Sequence, residues 1–232
     1  MTTQNSQSND FFQQLDARIA KYDLLCHPFY KAWSAGNLTR EDLGEYAQDY
    51  FHHVAAFPGY LAAFACRQED GPVRRAVLAN MAEENGDKGG RPHSDLWLDF
   101  AEGMGAGQAL RQPIAEVAQL IAHFDHVATE AAPAEALAAF YAYESQVPRV
   151  AREKARGLKE MYGADEKTCG YFTLHTTADV YHSNVWKNQL GRQVEANPEI
   201  AEKALNAAEA AAKSLWNALD GIEARRTQAL AP

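Results

Sequence analysis

Apolar side chains recur three or four residues apart along nearly the whole chain, and strict alternation of apolar and polar residues is never sustained. The first spacing places apolar residues on one face of an α-helix, whereas a half-buried strand would require alternation. Glycine and proline separate the periodic segments, as they do at helix ends. The sequence therefore predicts an all-α protein of about seven or eight helices.

Capping residues and prolines indicate where these helices begin and end. Asp10 is suited to cap a first helix, which should end near Cys26, because Pro28 disfavours a helical conformation just before it. Thr39 and Asp42 have the spacing of a capping box at the start of a long helix, in which Pro58 predicts a kink. First-turn prolines and glycine breaks predict that later helices begin near Pro72, His93, Pro113, Pro133, Asp165 and Asn197.

Two of the later segments contain most of the candidate chemistry. The helix that begins at Pro133 is expected to be interrupted by Pro148, and the segment from Asp165 to Gly191 is interpreted as one helix. No internal repeat or Pro/Ser-rich linker divides the chain. Residues 10–232 are therefore expected to form one domain, after a disordered tail at residues 1–9.

Composition limits the classes of partner. The formal net charge of −9 would repel a phosphate backbone, so we expect no nucleic-acid partner. No apolar run approaches the ~18 residues of a membrane helix, and the N-terminal segment lacks the basic and apolar regions of a secretory signal. The three cysteines fit neither a disulfide framework nor a CxxC zinc pattern. These features predict a soluble, cytoplasmic protein without a membrane partner.

The main candidate for chemistry is a set of three polar residues. His175, Asp179 and His182 lie at positions i, i+4 and i+7, so a continuous helix would hold them on one face within roughly 60° of one another. One metal ion could then contact all three. Two imidazoles and one carboxylate suit iron or manganese and leave positions open for dioxygen. The alternative is a solvated polar helix face.

Further candidate ligands come from two other segments. Glu144 lies in a strongly apolar stretch, where a buried carboxylate is costly unless a cation, an arginine or hydrogen bonds compensate it. A glycine-rich turn at residues 85–92 could return His93 to the helix end that carries Glu83 and Glu84. These two glutamates point about 100° apart, so only one of them can be a ligand, and spacing alone leaves the choice open.

The combined charge indicates how many ions such a site would hold. Three converging carboxylates carry about three negative charges, which two divalent ions balance better than one. The ferritin-like pattern requires a Glu-x-x-His on each of two helices. Only Asp179 and His182 show a comparable spacing, so a dinuclear site of another type is expected.

The remaining polar and aromatic residues admit simpler interpretations. Tyr171 precedes His175 by four residues and Tyr143 directly precedes Glu144, so either phenol could relay an electron or a proton, although a hydrogen-bonded core aromatic is the commoner role. No nucleophile elbow, P-loop or G-x-G-x-x-G motif is present. Structural or solvated roles are expected for His52, His53, His123, His126 and the basic run from Arg149 to Arg156, which includes Lys154.

Several segments resemble one known family. The chlamydial protein associating with death domains and its bacterial relatives, which are para-aminobenzoate synthases, have motifs similar to "CHPFYKAWSAGNLT", "YAQDYFHHVAAFPGYL", "EENG" followed by "HSDLW", "YAYESQVPRVAREKARGL" and "YFTLHTTADVYH". The resemblance implies a haem-oxygenase-like helical bundle around two metal ions, iron with manganese or two irons. It assigns the ligand roles to Glu83, His93, Glu144, His175, Asp179 and His182.

The resemblance also implies an activity. Such proteins are dioxygen-activating enzymes that form para-aminobenzoate for folate biosynthesis from one of their own tyrosine side chains, once per chain, with a lysine as amino donor. By position in the matching motifs, the sacrificed residue is Tyr30 and the donor is Lys154, with Tyr143 and Tyr171 assisting near the metals. Dioxygen and a reductant are then co-substrates, the electron donor is unspecified, and a homodimer is expected.

Two alternatives predict different observations. A dimetal oxidase acting on an external small molecule would release more than one product molecule per chain. A metal-free protein-interaction module, which the family's name suggests, would contain no stoichiometric metal.

Overall fold

The computed structural model describes residues 2–87, 89–107 and 111–229, and the regular elements in these ranges are all helical. Two 3₁₀ turns, Leu24–Cys26 and Pro198–Ile200, accompany the α-helices. The described residues form α1 (Thr2–Ala20), α2 (Pro28–Ser34), α3 (Arg40–Cys66), α4 (Pro72–Glu84), α5 (His93–Gly103), α6 (Ala115–Thr129), α7 (Pro133–Glu144), α8 (Val147–Tyr162), α9 (Gly170–His175), α10 (Ala178–Ala196) and α11 (Ala201–Ala229). The prediction of an all-α protein is confirmed.

Local sequence signals account for several helix boundaries. The Thr39 hydroxyl accepts a hydrogen bond from the Asp42 N–H at 3.0 Å, and the Asp42 carboxylate accepts one from the Thr39 N–H at 2.7 Å, which confirms the capping box. Pro72 and Pro133 each occupy the first turn of a helix, where the missing N–H costs nothing. Pro58 lies inside α3, which continues to Cys66.

The described residues contain more helices than the seven or eight expected, partly because the segment from Asp165 to Gly191 is not one helix. It divides into α9 and α10 at Thr176 and Thr177. The Thr176 hydroxyl donates to the Thr173 carbonyl oxygen at 2.8 Å, and the Thr177 hydroxyl donates to that of Leu174 at 3.3 Å. Side chains that bond to local carbonyl groups compete with the helical ladder, and β-branched residues propagate a helix poorly.

Helix α7 lies at the centre of the bundle. It packs against α10 and α11, and α3 packs against α4, α5 and α6. Alanine side chains on the facing sides of α7 and α11, among them Ala138, Ala139, Ala208 and Ala212, are fully buried and allow the two helices to approach closely. As a result, Glu144 at the end of α7 lies deep in the interior, where its charge requires compensation.

Helix α1 begins at Thr2, within the segment expected to be a disordered tail. The division of the chain into that tail and a single domain at residues 10–232 stays a prediction. None of the helices in the described ranges is long and apolar enough to span a membrane.

Candidate metal centre

Six buried side chains form two groups of three in the interior. The first group contains Glu84, His93 and His175, and the second contains Glu144, Asp179 and His182. Within each group, one ligand atom from each residue lies within 4.8 Å of the other two. This spacing lets a single cation contact all three residues of a group, so the geometry provides two adjacent cation sites.

The first group is assembled from the end of α4, the start of α5 and the end of α9. The Nδ1 atom of His93 lies 2.8 Å from Oε2 of Glu84, and the rings of His93 and His175 have centroids 4.6 Å apart. The Nδ1 atom of His175 lies 2.7 Å from the carbonyl oxygen of Tyr171. Because a carbonyl only accepts, His175 donates from Nδ1, which leaves the lone pair on its Nε2 for a metal.

The second group combines the end of α7 with the first turns of α10. Nδ1 of His182 lies 3.4 Å from Oδ1 of Asp179 and 4.0 Å from Oε1 of Glu144. The Glu144 carboxylate is held in place on its other sides, since it accepts hydrogen bonds from Nδ2 of Asn80 at 2.9 Å and from the indole N–H of Trp186. These contacts orient a fully buried carboxylate toward Asp179 and His182.

The site concentrates negative charge in a buried space. Burial and the adjacent Asp179 carboxylate raise the pKa of Glu144. Burial alone would lower the pKa of His182, but the nearby carboxylates of Asp179 and Glu144 outweigh that effect and raise it. Burial would raise the pKa of Glu84, but the adjacent His93 lowers it below its ordinary value. Divalent cations would relieve this excess of negative charge.

The donor set fits two such cations. Among the described residues, the Nδ1 atoms of His93 and His182 are buried and have no hydrogen-bond partner, although a carboxylate oxygen lies near each. Orphaned buried nitrogens of this kind are costly unless something binds them. Imidazole nitrogens combined with carboxylate oxygens are ligands that iron and manganese accept.

The structure corrects two interpretations made from the sequence. Glu84, not Glu83, contributes the carboxylate of the first group, because the buried side of α4 follows Val77, Asn80 and Glu84 and residue 83 is rotated about 100° from it. The structure also does not group His175 with the two candidate ligands on α10, as a continuous helix would have done. The break at Thr176 and Thr177 leaves His175 on α9, in the other group.

A second cluster contains the residues expected to react. Nζ of Lys154 lies 2.7 Å from the Tyr30 hydroxyl and 2.5 Å from the Tyr46 hydroxyl, and the two hydroxyls are 3.0 Å apart. Only 5% of Lys154 is exposed, and burial lowers its pKa well below the ordinary value, which favours the neutral amine. Sequence reasoning missed Tyr46 and took Lys154 to be solvated. The missed signal is that Lys154 shares its helix face with Val147, Val150, Ala151 and Leu158.

Tyr143 and Tyr171 lie between the metal groups and this second cluster. Both line a cavity of about 10 Å³ that is also bounded by Glu84, Glu144, His175 and Asp179. Both also line a cavity of about 30 Å³ that is bounded by Tyr30 and Lys154. The structure thus places Tyr143 and Tyr171 beside residues of both groups and beside Tyr30 and Lys154.

The other histidines lie outside both groups. His53 is completely buried among aromatic rings, and burial lowers its pKa to about 3, so its ring is neutral. Nε2 of His52 lies 2.6 Å from the carbonyl oxygen of Arg111 and donates to it.

A helical bundle with two interior groups of carboxylate and imidazole ligands is the architecture of a metal-dependent redox protein. Residues 44–216 match the model of a family described as iron-containing redox enzymes. The chain belongs to this family. The match covers α4 to α10, and therefore all six residues of the two groups.

Comparisons with individual proteins also support membership of this family. The 4-aminobenzoate synthase of Nitrosomonas europaea is 38% identical over 229 residues, which cover 93% of this chain and 92% of that protein. The 4-aminobenzoate synthase of Chlamydia trachomatis is 37% identical over 217 residues, 92% of each chain. A solved protein of haem-oxygenase-like fold from Shewanella denitrificans superposes with a TM-score of 0.77 at 16% identity, covering 94% of this chain and 93% of that one. The expected fold and family resemblance are confirmed.

Proposed function

We propose that this chain forms para-aminobenzoate from the side chain of Tyr30, with Lys154 as the source of the amino nitrogen. The similarity to 4-aminobenzoate synthases supports the product. The observation that carries the proposal is the distance of 2.7 Å between the Lys154 amine and the Tyr30 phenol oxygen, both buried. The nitrogen of the product thus lies next to the ring position that must receive it.

The proposed reaction accounts for every atom of the product. The ring and Cβ of Tyr30 become the benzoate skeleton after the Cα–Cβ bond breaks, and Cβ is oxidised to the carboxylate. The bond between the ring and the phenol oxygen, which leaves as water, is replaced by one to the Lys154 nitrogen. The bond from that nitrogen to Cε breaks and leaves an aldehyde at Cε, while Cα takes a hydrogen and remains as a glycine residue. The two side chains lose six electrons in all, and an external reductant supplies the two more that reduce two molecules of dioxygen to the carboxylate and aldehyde oxygens and water. Each chain reacts once, because it consumes its own side chains.

The metals are assigned to the two groups of ligands. We infer that Glu84, His93 and His175 hold one ion and that Glu144, Asp179 and His182 hold the other, as iron with manganese or as two irons. Bound metals of this kind bind and reduce dioxygen. A role in folate biosynthesis, a cytoplasmic location and a homodimeric state stay predictions.

The protein's own residues prepare the reacting pair. Burial lowers the pKa of Lys154 and so favours the neutral amine, whose nitrogen has a lone pair to form a bond. Burial also raises the pKa of Tyr30, so its phenol stays protonated. The Tyr46 hydroxyl contacts both the Lys154 amine and the Tyr30 hydroxyl, and it holds the amine against the phenol. Together these contacts favour a fixed approach of the nitrogen to the ring.

Cavity size favours an internal substrate over an external one. The two cavities at Tyr143 and Tyr171 have volumes of about 10 and 30 Å³. Sites for small-molecule ligands usually measure about 300 Å³ or more. A free aromatic substrate has no room beside these residues, whereas Tyr30 is already there.

The test is peptide mass mapping of metal-loaded, reduced protein before and after one exposure to oxygen. We expect the peptides that contain Tyr30 and Lys154 to change mass in proportion to the product formed. Tyr30→Phe should form no product while binding the same amount of metal. Product formed while Tyr30 remains intact would refute the proposal.

A further inference from the structure

Glu83 is not a member of the second group, but its side chain contacts His182 of that group. Its Oε2 atom lies 2.8 Å from Nε2 of His182, while Nδ1 of the same ring faces Asp179 and Glu144. A carboxylate that is ionised only accepts hydrogen bonds, so Nε2 of His182 is the donor. The lone pair of the neutral ring is then on Nδ1, directed toward the other two ligands.

The burial of Glu83 differs from that of the six candidate ligands. Its side chain is 32% exposed, whereas that of His182 is 2% exposed. Glu83 therefore lies between the buried imidazole and the surface. Its neighbour Glu84 points inward to the first group, so consecutive residues of α4 contact different groups.

The same helix contributes a further contact to the second group. Asn80, one turn before Glu83 and Glu84, donates from Nδ2 to Oε1 of Glu144 at 2.9 Å. Two residues of α4 thus hold two of the three candidate ligands of the second group, although neither belongs to it. The last turn of α4 acts as a support for that group.

In the first group, a main-chain carbonyl holds the histidine ring in the way that Glu83 holds His182 in the second group. Nδ1 of His175 donates to the main-chain carbonyl of Tyr171, which fixes the tautomer of that ring. In the second group a side chain, Glu83, takes the place of the carbonyl. A main-chain carbonyl cannot be removed by substituting a side chain, whereas Glu83 can be replaced. The role of Glu83 can therefore be tested.

We propose that Glu83 is a positioning residue that fixes the orientation and tautomer of His182, so that this ring binds the second metal ion through Nδ1. The inference rests on the proposed two-metal function. Partners that hold the far nitrogen of a ligating histidine typically change metal affinity by about 10- to 100-fold when removed. Glu83 should affect the second ion and leave the first unchanged.

The experiment compares metal titrations of metal-free wild-type protein, Glu83→Ala and Glu83→Gln, with Mn(II) alone and with Fe(II) alone. Glu83→Ala should bind one of two ions about 10- to 100-fold more weakly and the other with wild-type affinity. Glu83→Gln retains an acceptor oxygen and should recover most of that loss. Glu166→Ala, which removes an exposed glutamate between α8 and α9, is the control and should match wild type.

A second measurement does not depend on activity. In Zn(II)-loaded protein containing ¹⁵N-histidine, the nitrogen chemical shifts should show Nε2 of His182 protonated and Nδ1 bound to zinc. Coordination through Nε2 would overturn the proposal. If Glu83→Ala and wild type bind both ions with equal affinity, the positioning role is also overturned. The proposed two-metal function is not affected by that result. Wild-type protein that binds fewer than two ions would overturn that function and the positioning role together.

Discussion

The ring of Tyr171 stacks on the ring of His175, with centroids 4.0 Å apart and planes inclined by 28°. The edge of Trp97 meets Tyr171 at a centroid distance of 4.8 Å. Tyr171 also lines the cavity that contains Tyr30 and Lys154. One aromatic side chain thus contacts both a candidate metal ligand and the space around the proposed reacting pair.

From this position we propose that the phenol of Tyr171 relays a proton or an electron between the candidate metal centre and Tyr30. Tyr171→Phe keeps the stacked ring and removes only the hydroxyl. We expect the para-aminobenzoate yield at a fixed early time to fall about 100-fold or more, the lower end of what a positioned proton-transfer group usually contributes to a rate. Metal content should be unchanged. Tyr181→Phe, at an exposed tyrosine of α10, serves as the control. Wild-type yield from Tyr171→Phe would contradict the relay.

The division of the ligands into two groups predicts selective losses of metal. His93→Ala should remove the ion held with Glu84 and leave the other ion in place. Asp179→Asn should affect the other ion in the same selective way, because each residue belongs to only one group. Elemental analysis after dialysis would show about one ion per chain in each variant, against about two in wild type. Loss of both ions from both variants would indicate a single shared site.

Burial of Lys154 predicts a pH-dependent stability. Its pKa in the folded protein lies well below the ordinary value of 10.5, which applies to the unfolded chain. Between these two pKa values the unfolded chain binds a proton that the folded chain does not, so the free energy of unfolding rises with pH. The rise is at most about 1.4 kcal/mol per pH unit.

The comparison that isolates this effect uses Lys154→Met. Urea unfolding of both metal-free proteins from about pH 7 to about pH 9 should show wild type gaining stability relative to the variant. Parallel pH profiles would mean that Lys154 is charged in the folded protein. In that case its nitrogen would lack the lone pair that the proposed reaction needs.

Close packing at Gly157 predicts a destabilising substitution near the reacting pair. A Cβ atom added there would lie 2.8 Å from Cδ1 and 3.0 Å from Nε1 of Trp33, whose ring packs against Tyr30. Gly157→Ala should therefore lower the free energy of unfolding by about 1–3 kcal/mol despite the better helix propensity of alanine. The measurement is urea unfolding.

Gly59 provides the matched control. It lies inside α3 with nothing within 4 Å of an added Cβ atom. Gly59→Ala should leave stability unchanged or raise it by up to about 1 kcal/mol. If both substitutions stabilise the protein equally, Trp33 is not tightly packed against α8.

Local signals in the sequence were sufficient to predict the helical fold and several helix boundaries. The capping box at Thr39 and the first-turn prolines act within a few residues, so they can be recognised without knowledge of tertiary structure. Several candidate ligands were also visible: His175, Asp179 and His182 from their helical spacing, His93 from the glycine-rich turn before it, and Glu144 from its apolar surroundings. These features predicted five of the six residues that form the two groups.

The remaining features depend on how helices pack. The break at Thr176 and Thr177 decides that His175 joins Glu84 rather than Asp179, and neither threonine is a strong helix breaker by itself. The choice between Glu83 and Glu84 depends on which side of α4 faces the bundle. The burial of Lys154 was readable from its apolar neighbours on α8, but the surrounding charged residues favoured a solvated interpretation.

The most direct test of the central claim uses protein labelled with ¹³C in the tyrosine rings and with ¹⁵N at the lysine side-chain nitrogen. Metal-loaded, reduced protein would react with oxygen in unlabelled buffer, and the product would be quantified by mass spectrometry. We predict para-aminobenzoate that carries both labels, in an amount not exceeding one molecule per chain. Unlabelled product, or several product molecules per chain, would contradict the account.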